Sequence, residues 1–245
     1  MAKFNAVIAD TKSFKNSIEA IAALIDEGTF QITKEGIKLR AMDPSQIALV
    51  DFMLPAKAFE KYEVKEQVNI GVDFSELSKI TKRARAEDKI ELSLDQRLQI
   101  IFRGQTTRDF NIAIIEASST PPKEPSIEFT AEVKIQPDVL KEALKDAVLV
   151  SNHIALSIGD SLSVKSDGDT GSVDIDFPEG TILSKTVKAP SRSVFSLDHM
   201  ENILRAAEAP SVVVINLKSD APVKIEYAIG DGRVIYYLAP RIENV

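Results

Sequence analysis

The 245-residue sequence has no cysteine and only two histidines, His153 and His199. Without cysteine there is no disulfide framework and no thiolate-ligated zinc or iron–sulfur centre. Neither histidine has a second histidine at ligand spacing, so no metal site is expected. The run Asp167-Gly168-Asp169-Thr170-Gly171 begins like a calcium loop. It places Ser172 and Pro178 where that loop needs glycine and glutamate, so a hairpin turn is expected instead. No glycine-rich phosphate loop ends in Lys-Ser or Lys-Thr, no Gly-x-Ser-x-Gly elbow occurs, and no motif singles out a pair of carboxylates. Neither an enzyme nor a cofactor is expected. No apolar run approaches the roughly 18 residues of a membrane span. Met1 leads straight into Lys3 and Phe4, so no signal peptide is visible. A chain without membrane partners is expected, in the cytoplasm, or in the nucleus if the source is a eukaryote.

What the sequence does contain, it contains twice. Phe14, Ile18 and Ala22 are echoed by Leu140, Leu144 and Val148, 126 positions on. Phe74, Leu77, Ile80, Lys82 and Ala84 are echoed by Leu197, Met200, Ile203, Arg205 and Ala207 at an offset of 123. Leu98, Ile100 and Phe102 are echoed by Val223, Ile225 and Tyr227 at an offset of 125. A near-constant offset through both helical and alternating patterns indicates a duplicated domain.

Within each copy the periodicity predicts two helices and many antiparallel strands. Helices are expected over 11–26, 73–86, 137–150 and 196–207. Thr11 or Ser13 is the expected cap of the first, and Asp73 of the second. Strands are expected at 30–32, 37–39, 47–52, 89–94, 97–102 and 108–115. In the second copy they are expected at 157–165, 171–177, 212–217, 223–227 and 233–238, with Gly230-Asp231-Gly232 as a hairpin turn. Between the copies, Pro121, Pro122 and Pro125 follow a Ser/Thr cluster and exclude regular structure. The expected division is a first domain at 1–115, a connector at 116–127 and a second domain at 128–245. The fold class is α+β: two duplicated domains, each with two helices packed on antiparallel sheets.

The net charge is −7, which on its face argues against nucleic acid. Repulsion between exposed charges is screened beyond about 8 Å, however, so local distribution matters more than the total. Nine basic residues fall on the outer faces of the expected helices: Lys12, Lys15, Lys79, Lys82, Arg83, Arg85, Lys141, Lys145 and Arg205. Exposed lysine and arginine are the default for any helix, and Glu19, Asp138, Glu142 and Glu201 dilute these faces. The second helix, with four bases in seven residues, departs furthest from that default.

Two segments are more specific. Gly36-Ile37-Lys38-Leu39-Arg40-Ala41-Met42-Asp43-Pro44-Ser45-Gln46-Ile47-Ala48-Leu49-Val50 resembles the early signature of the proliferating cell nuclear antigen (PCNA) family of DNA sliding clamps. Tyr236-Tyr237-Leu238-Ala239-Pro240-Arg241-Ile242-Glu243 is similar to that family's C-terminal signature. Gly71-Val72-Asp73, followed by Lys79 and Lys82, also matches. The wording is closer to the archaeal branch than to the eukaryotic one.

The resemblance implies a DNA clamp fold and a processivity factor. Three two-domain subunits would close into a ring, with the helices lining a hole threaded by duplex DNA. Lys15, Lys79, Lys82, Lys145 and Arg205 then fall at inner-wall positions. Helical geometry adds Lys12, Arg83, Arg85 and Lys141. The resemblance also implies a pocket for the PIP-box peptides of DNA polymerase, flap endonuclease, DNA ligase and the clamp loader. It would be built from Met42, Gln46, Ile47, Leu49, Pro222, Tyr237, Leu238, Ala239 and Pro240. From pattern alone, Met42, Ile47 and Leu49 read as strand core, and it is the resemblance that assigns them to the pocket. The connector, Pro122-Lys123-Glu124-Pro125, lacks the apolar residues that often cap this pocket in the family. Two strands at the domain ends are candidates for pairing between subunits. They carry Arg108, Phe110, Ile112 and Ile114 in one copy and Val173, Ile175 and Phe177 in the other. A clamp-like subunit of a heteromeric checkpoint or repair ring is the alternative. A duplicated enzyme gripping an anionic substrate on its basic helices is a third reading.

Overall fold

The computed structural model describes residues 3–117 and 120–241. Ser118 and Ser119 of the expected connector, and Ile242 and Glu243 of the C-terminal signature, lie outside the described residues. The chain forms two compact units, one of residues 1–46, 50–122 and 229–234 and one of residues 47–49, 123–228 and 235–245.

The first copy runs β1 (Phe4–Ile8), α1 (Thr11–Ala22), β2 (Glu27–Thr33), β3 (Gly36–Met42), β4 (Ala48–Pro55), β5 (Lys61–Val64), β6 (Val68–Asp73), α2 (Phe74–Thr81), β7 (Lys89–Leu94), β8 (Leu98–Arg103) and β9 (Thr107–Ile112). One sheet has the order β5-β1-β7-β8-β9; β4, β3, β2 and β6 are neighbours in a second. The second copy runs β10 (Ala131–Ile135), α3 (Pro137–Val148), β11 (His153–Ile158), β12 (Leu162–Gly168), β13 (Gly171–Phe177), β14 (Ile182–Val187), β15 (Ser191–Ser196), α4 (Leu197–Leu204), β16 (Val213–Leu217), β17 (Val223–Ile229) and β18 (Gly232–Leu238). Its strand orders are β14-β10-β16-β17-β18 and β13-β12-β11-β15. Element for element, the second copy repeats the first.

The helices bury the apolar stripes that the periodicity marks. Phe14, Ile18 and Ile21 of α1 and Phe74 and Leu77 of α2 are buried, and the two helices pack on each other. Phe74 meets Phe30 of β2 edge to face, with ring centroids 5.1 Å apart. In the second unit Leu140 and Leu144 of α3 and Leu197, Met200 and Ile203 of α4 do the same work. There the Tyr227 hydroxyl donates to the Ile203 carbonyl at 2.7 Å. Each fully buried side chain of this size stabilises the fold by about 1.5–3 kcal/mol.

Several boundaries differ from expectation. The cap of α1 is Asp10, whose carboxylate accepts from the Ser13 amide at 3.0 Å; Thr11 is buried inside the first turn instead. Helix α2 stops at Thr81, so Lys82, Arg83 and Arg85 stand on the turn that follows it. The expected strand at 157–165 is a hairpin that turns at Gly159–Ser161. Six strands were not expected: β1, β5, β6, β10, β14 and β15. Each has only four to six residues, and β5 and β14 carry mostly polar or exposed positions.

The edges of the sheets are treated unequally. Beyond β9 the chain returns, and the Ile115 amide donates to the Gly71 carbonyl of β6 at 3.0 Å. Beyond β18 the Arg241 amide donates to the Val194 carbonyl of β15 at 2.7 Å. Strand β9 pairs with β8 and β13 pairs with β12, each on one side only among the described residues.

Candidate nucleic-acid and partner interfaces

In the first unit the basic residues gather around the end of α2. The Asp73 carboxylate starts that helix by accepting from the Glu76 amide at 2.9 Å. One turn on, Lys79 is exposed and lies 3.5 Å from Glu76. Lys82, Arg83 and Arg85 are exposed on the turn that leads to β7, and Lys12 is exposed on α1. Lys15, which the resemblance places on the inner wall, is half-buried on α1. Its ammonium donates to the Ala84 carbonyl at 3.1 Å, closing α1 onto the turn.

Asp88, which the sequence reading passed over, organises that turn. Its side chain is 1% exposed and pairs with the Arg108 guanidinium of β9. One carboxylate oxygen also accepts from the Arg85 amide at 2.6 Å, and its main-chain carbonyl accepts from the Thr11 hydroxyl. Arg108 donates in addition to the Arg83 carbonyl at 2.8 Å and lies over the Phe102 ring, 5.1 Å from its centroid. Burial works to raise the Asp88 pKa. The Arg85 amide and the Arg108 guanidinium outweigh it and hold the carboxyl below its ordinary 3.8. The signal available in the sequence was a pair of acidic residues, Glu87 and Asp88, shortly after a basic run, with a glycine, Gly104, in the later β8–β9 turn. A Cβ at Gly104 would sit 2.2 Å from the Asp88 Oδ1.

The second unit repeats the lysine and not the hub. Lys141, 126 positions after Lys15, donates to the Ala207 carbonyl and, at 3.4 Å, to the Arg205 carbonyl. Lys141, Leu144, Lys145, Glu201, Leu204 and Arg205 line a groove of about 420 Å³ between α3 and α4. Lys145 is paired with Glu142 at 2.6 Å, a hydrogen bond that raises the lysine pKa. Arg205 is exposed and bonded to Asn202.

Strands β5, β9, β13 and β14 each pair on one side only among the described residues, and of these β9 and β13 carry the alternation of half-buried strands. On β9, Phe110 is half-exposed against Phe102, with ring centroids 5.4 Å apart, and Ile112 is buried. Ile114 lies past the end of β9 and is exposed. On β13, Val173 and Ile175 are half-exposed and Phe177 is buried. The Arg108 guanidinium is bonded to Asp88 and to the Arg83 carbonyl inside its own unit.

The expected peptide pocket separates into floor and rim. Leu238 is fully buried, and Leu49 and Tyr237 are nearly so; these three are core. Ile47 is 37% exposed, and Pro222, Ala239 and Pro240 are half-buried. The Ala239 amide donates to the Ile47 carbonyl at 2.8 Å, which ties the tail beside that side chain. In the first unit, Met42 is half-buried at the end of β3 and Gln46 is exposed with a φ of 59°. The Tyr237 hydroxyl donates to Glu124 at 2.7 Å, so a polar pin fastens the connector.

Residues 3–115 match the model of the PCNA N-terminal domain, and residues 123–242 match that of the C-terminal domain. The chain belongs to the PCNA family. It is 37% identical over 245 residues to a DNA polymerase sliding clamp of Methanococcus maripaludis strain C6, covering 96% of this chain and 98% of the relative. A clamp of Pyrococcus abyssi is 35% identical over 98% of this chain and 99% of its own. Among solved structures, PCNA from Thermococcus kodakaraensis superposes with a TM-score of 0.92 at 29% identity, covering 97% of this chain and all of the other. A. fulgidus PCNA, solved with the C-terminal region of FEN-1 bound, gives 0.90 at 26% identity, covering 99% and 100%. The chain is therefore a DNA sliding clamp of a non-enzymatic family, with archaeal relatives. No helix among the described residues is long and apolar enough to cross a membrane.

Proposed function

We propose that this PCNA-family clamp works as a ring of three identical chains around duplex DNA in the cytoplasm. The observation that carries the ring is that β9 and β13 are edge strands, paired on one side only, that carry half-exposed apolar side chains. They are different surfaces, so pairing β9 of one copy with β13 of the next is heterologous and propagates until it closes. Their half-exposed Phe110, Val173 and Ile175 gain cover in that contact. Mass measurement by light scattering tests it. Ile112→Pro and Ile175→Pro, each removing ladder bonds from an edge, should shift the trimer to monomer. Trimers of unchanged mass in both variants would place the interface elsewhere.

Inside such a ring Lys12, Lys79, Lys82, Arg83, Arg85, Lys145 and Arg205 face the duplex backbone. Phosphate contacts carry no sequence information, which leaves the registers along DNA nearly equal in energy and permits sliding. Partner proteins dock on the rim formed by Ile47, Pro222, Ala239 and Pro240, over the floor of Leu49, Tyr237 and Leu238. This is the chemistry of an apolar socket for a short helical turn. The family resemblance supplies the partners: DNA polymerase, and beyond it flap endonuclease, ligase and the clamp loader. Ile47→Ala with Pro240→Ala should abolish binding of a PIP-box peptide by calorimetry in a ring of normal mass. That pair spares Leu238, whose truncation would open a core cavity. Unchanged peptide affinity would move the partner site.

A further inference from the structure

The basic turn after α2 is a loop, and loops carrying like charges spread unless something holds them. Lys82, Arg83 and Arg85 crowd three positive charges into four residues. Backbone bonds to the last turn of α2 hold the start of this loop, and four bonds made by side chains add to them: Lys15 donates to the Ala84 carbonyl, Arg108 to the Arg83 carbonyl and Thr11 to the Asp88 carbonyl, and the Asp88 carboxylate accepts from the Arg85 amide. Asp88 and Arg108 supply two of these directly and are joined to each other by a buried ion pair. Arginine suits this place because its planar fork reaches two acceptors at once, the Asp88 carboxylate and the Arg83 carbonyl. The pair costs desolvation, and the Arg108 Nε is buried with no partner among the described residues. A pair kept at that cost is better explained by placement than by stability.

We propose that Arg108, acting with Asp88, is a positioning residue for DNA contact: it fixes the path of residues 82–88 so that Lys82, Arg83 and Arg85 meet the phosphates together. It does this without facing the duplex. The inference rests on the reading of this turn as a phosphate-binding surface. It also moves Arg108 from the subunit contact, where its strand alone would put it, to the service of the basic turn.

The decisive variant is Asp88→Asn with Arg108→Leu. It removes one negative and one positive charge, so the net charge is unchanged and no DNA-facing base is lost. Affinity for a short DNA duplex is measured against salt concentration, together with ring mass and the hydrogen exchange of the Arg85 amide. Gly104→Ala is the milder second variant, because its methyl would displace the Asp88 carboxylate while leaving both partners in the chain. Lys82→Ala/Arg83→Ala/Arg85→Ala is measured alongside. In both test variants the log–log salt slope should fall by about 0.9 or more, the equivalent of at least one lost phosphate contact. The Arg85 amide should lose protection and the mass should stay that of the ring. Slopes equal to wild type in both, while the triple alanine lowers its own, overturn the positioning role. Slopes that fall only because the ring dissociates also overturn it, and return Arg108 to the interface. A triple alanine with a wild-type slope refutes the phosphate-binding reading itself, and the positioning role falls with it.

Discussion

The turns that follow α2 and α4 occupy equivalent places in two copies of one fold, yet they are built differently. Each is tied to its neighbouring helix by a lysine at the same repeat position, Lys15 to Ala84 and Lys141 to Ala207. Beyond that clip they diverge. The first turn carries three basic residues and the Asp88–Arg108 pair. The second carries Arg205 alone, and at the position 123 residues after Asp88 stands Ser211. The lysine clip therefore belongs to the fold and the charged hub belongs to the charge it restrains. A residue shared by both copies is more safely read as architecture, and one present in a single copy as function.

Truncating the equivalent anchors Phe74 and Leu197 should produce the largest effects. Both are fully buried at the start of their helices. Phe74→Ala should cost about 3–5 kcal/mol and Leu197→Ala about 2–5. The edge-to-face contact with Phe30 should place the first higher by about 1 kcal/mol. Denaturant titration of each variant measures the gap, and equal losses would mean that the Phe30 contact adds nothing.

The lysine clips come next. Lys141→Met should cost about 1 kcal/mol, because no second side chain is seen gripping the carbonyls it leaves. Lys15→Met should cost less than half of that, since Arg108 and Asp88 still hold its turn. The reverse order in chemical denaturation would show that the hub does not share the load.

A smaller change follows from giving the second turn more of the first one's charge. Glu201 lies among Lys141, Lys145 and Arg205 in the α3–α4 groove. Glu201→Lys should steepen the salt dependence of duplex binding by about 0.9 in slope if one phosphate contact is gained. An unchanged slope would place that groove away from the backbone.

The smallest effect is read by pH. The folded-state pKa of Asp88 lies below the ordinary 3.8, so its contribution is fully present above that value and is lost as pH falls through the lowered one. Amide exchange at Arg85 should accelerate in that acid window while exchange at Ala207 does not. Parallel acceleration at both would mean global acid unfolding and no local release.

The duplication, the four helices and the two open edges were legible because each rests on local periodicity. Phe14, Ile18 and Ile21 repeat at helical spacing, and β13 alternates over its whole length. The helix ends were less legible. Nothing in Lys82-Arg83-Ala84-Arg85 forbids helix; the turn's own carbonyls at Arg83 and Ala84 accept instead from the side chains of Arg108 and Lys15, which local periodicity does not show. The residues proposed for the peptide pocket were grouped by family resemblance alone. Their division into floor and rim was not legible, because Leu238 and Pro240 differ in burial and hardly in pattern. Asp88 went unread for a similar reason: its partner Arg108 lies 20 residues away, on a strand whose other residues suggested an interface.

Gly104 has a practical consequence for anyone labelling this clamp. The β8–β9 turn is exposed and short, so it looks suited to a dye or an inserted tag. Residue 104 is the wrong choice within it, because any side chain there meets the Asp88 carboxylate and would report on a clamp whose basic turn had already been disturbed. Gln105 or Thr106, one step further along the same exposed turn, gives the probe its place without touching what it is meant to observe.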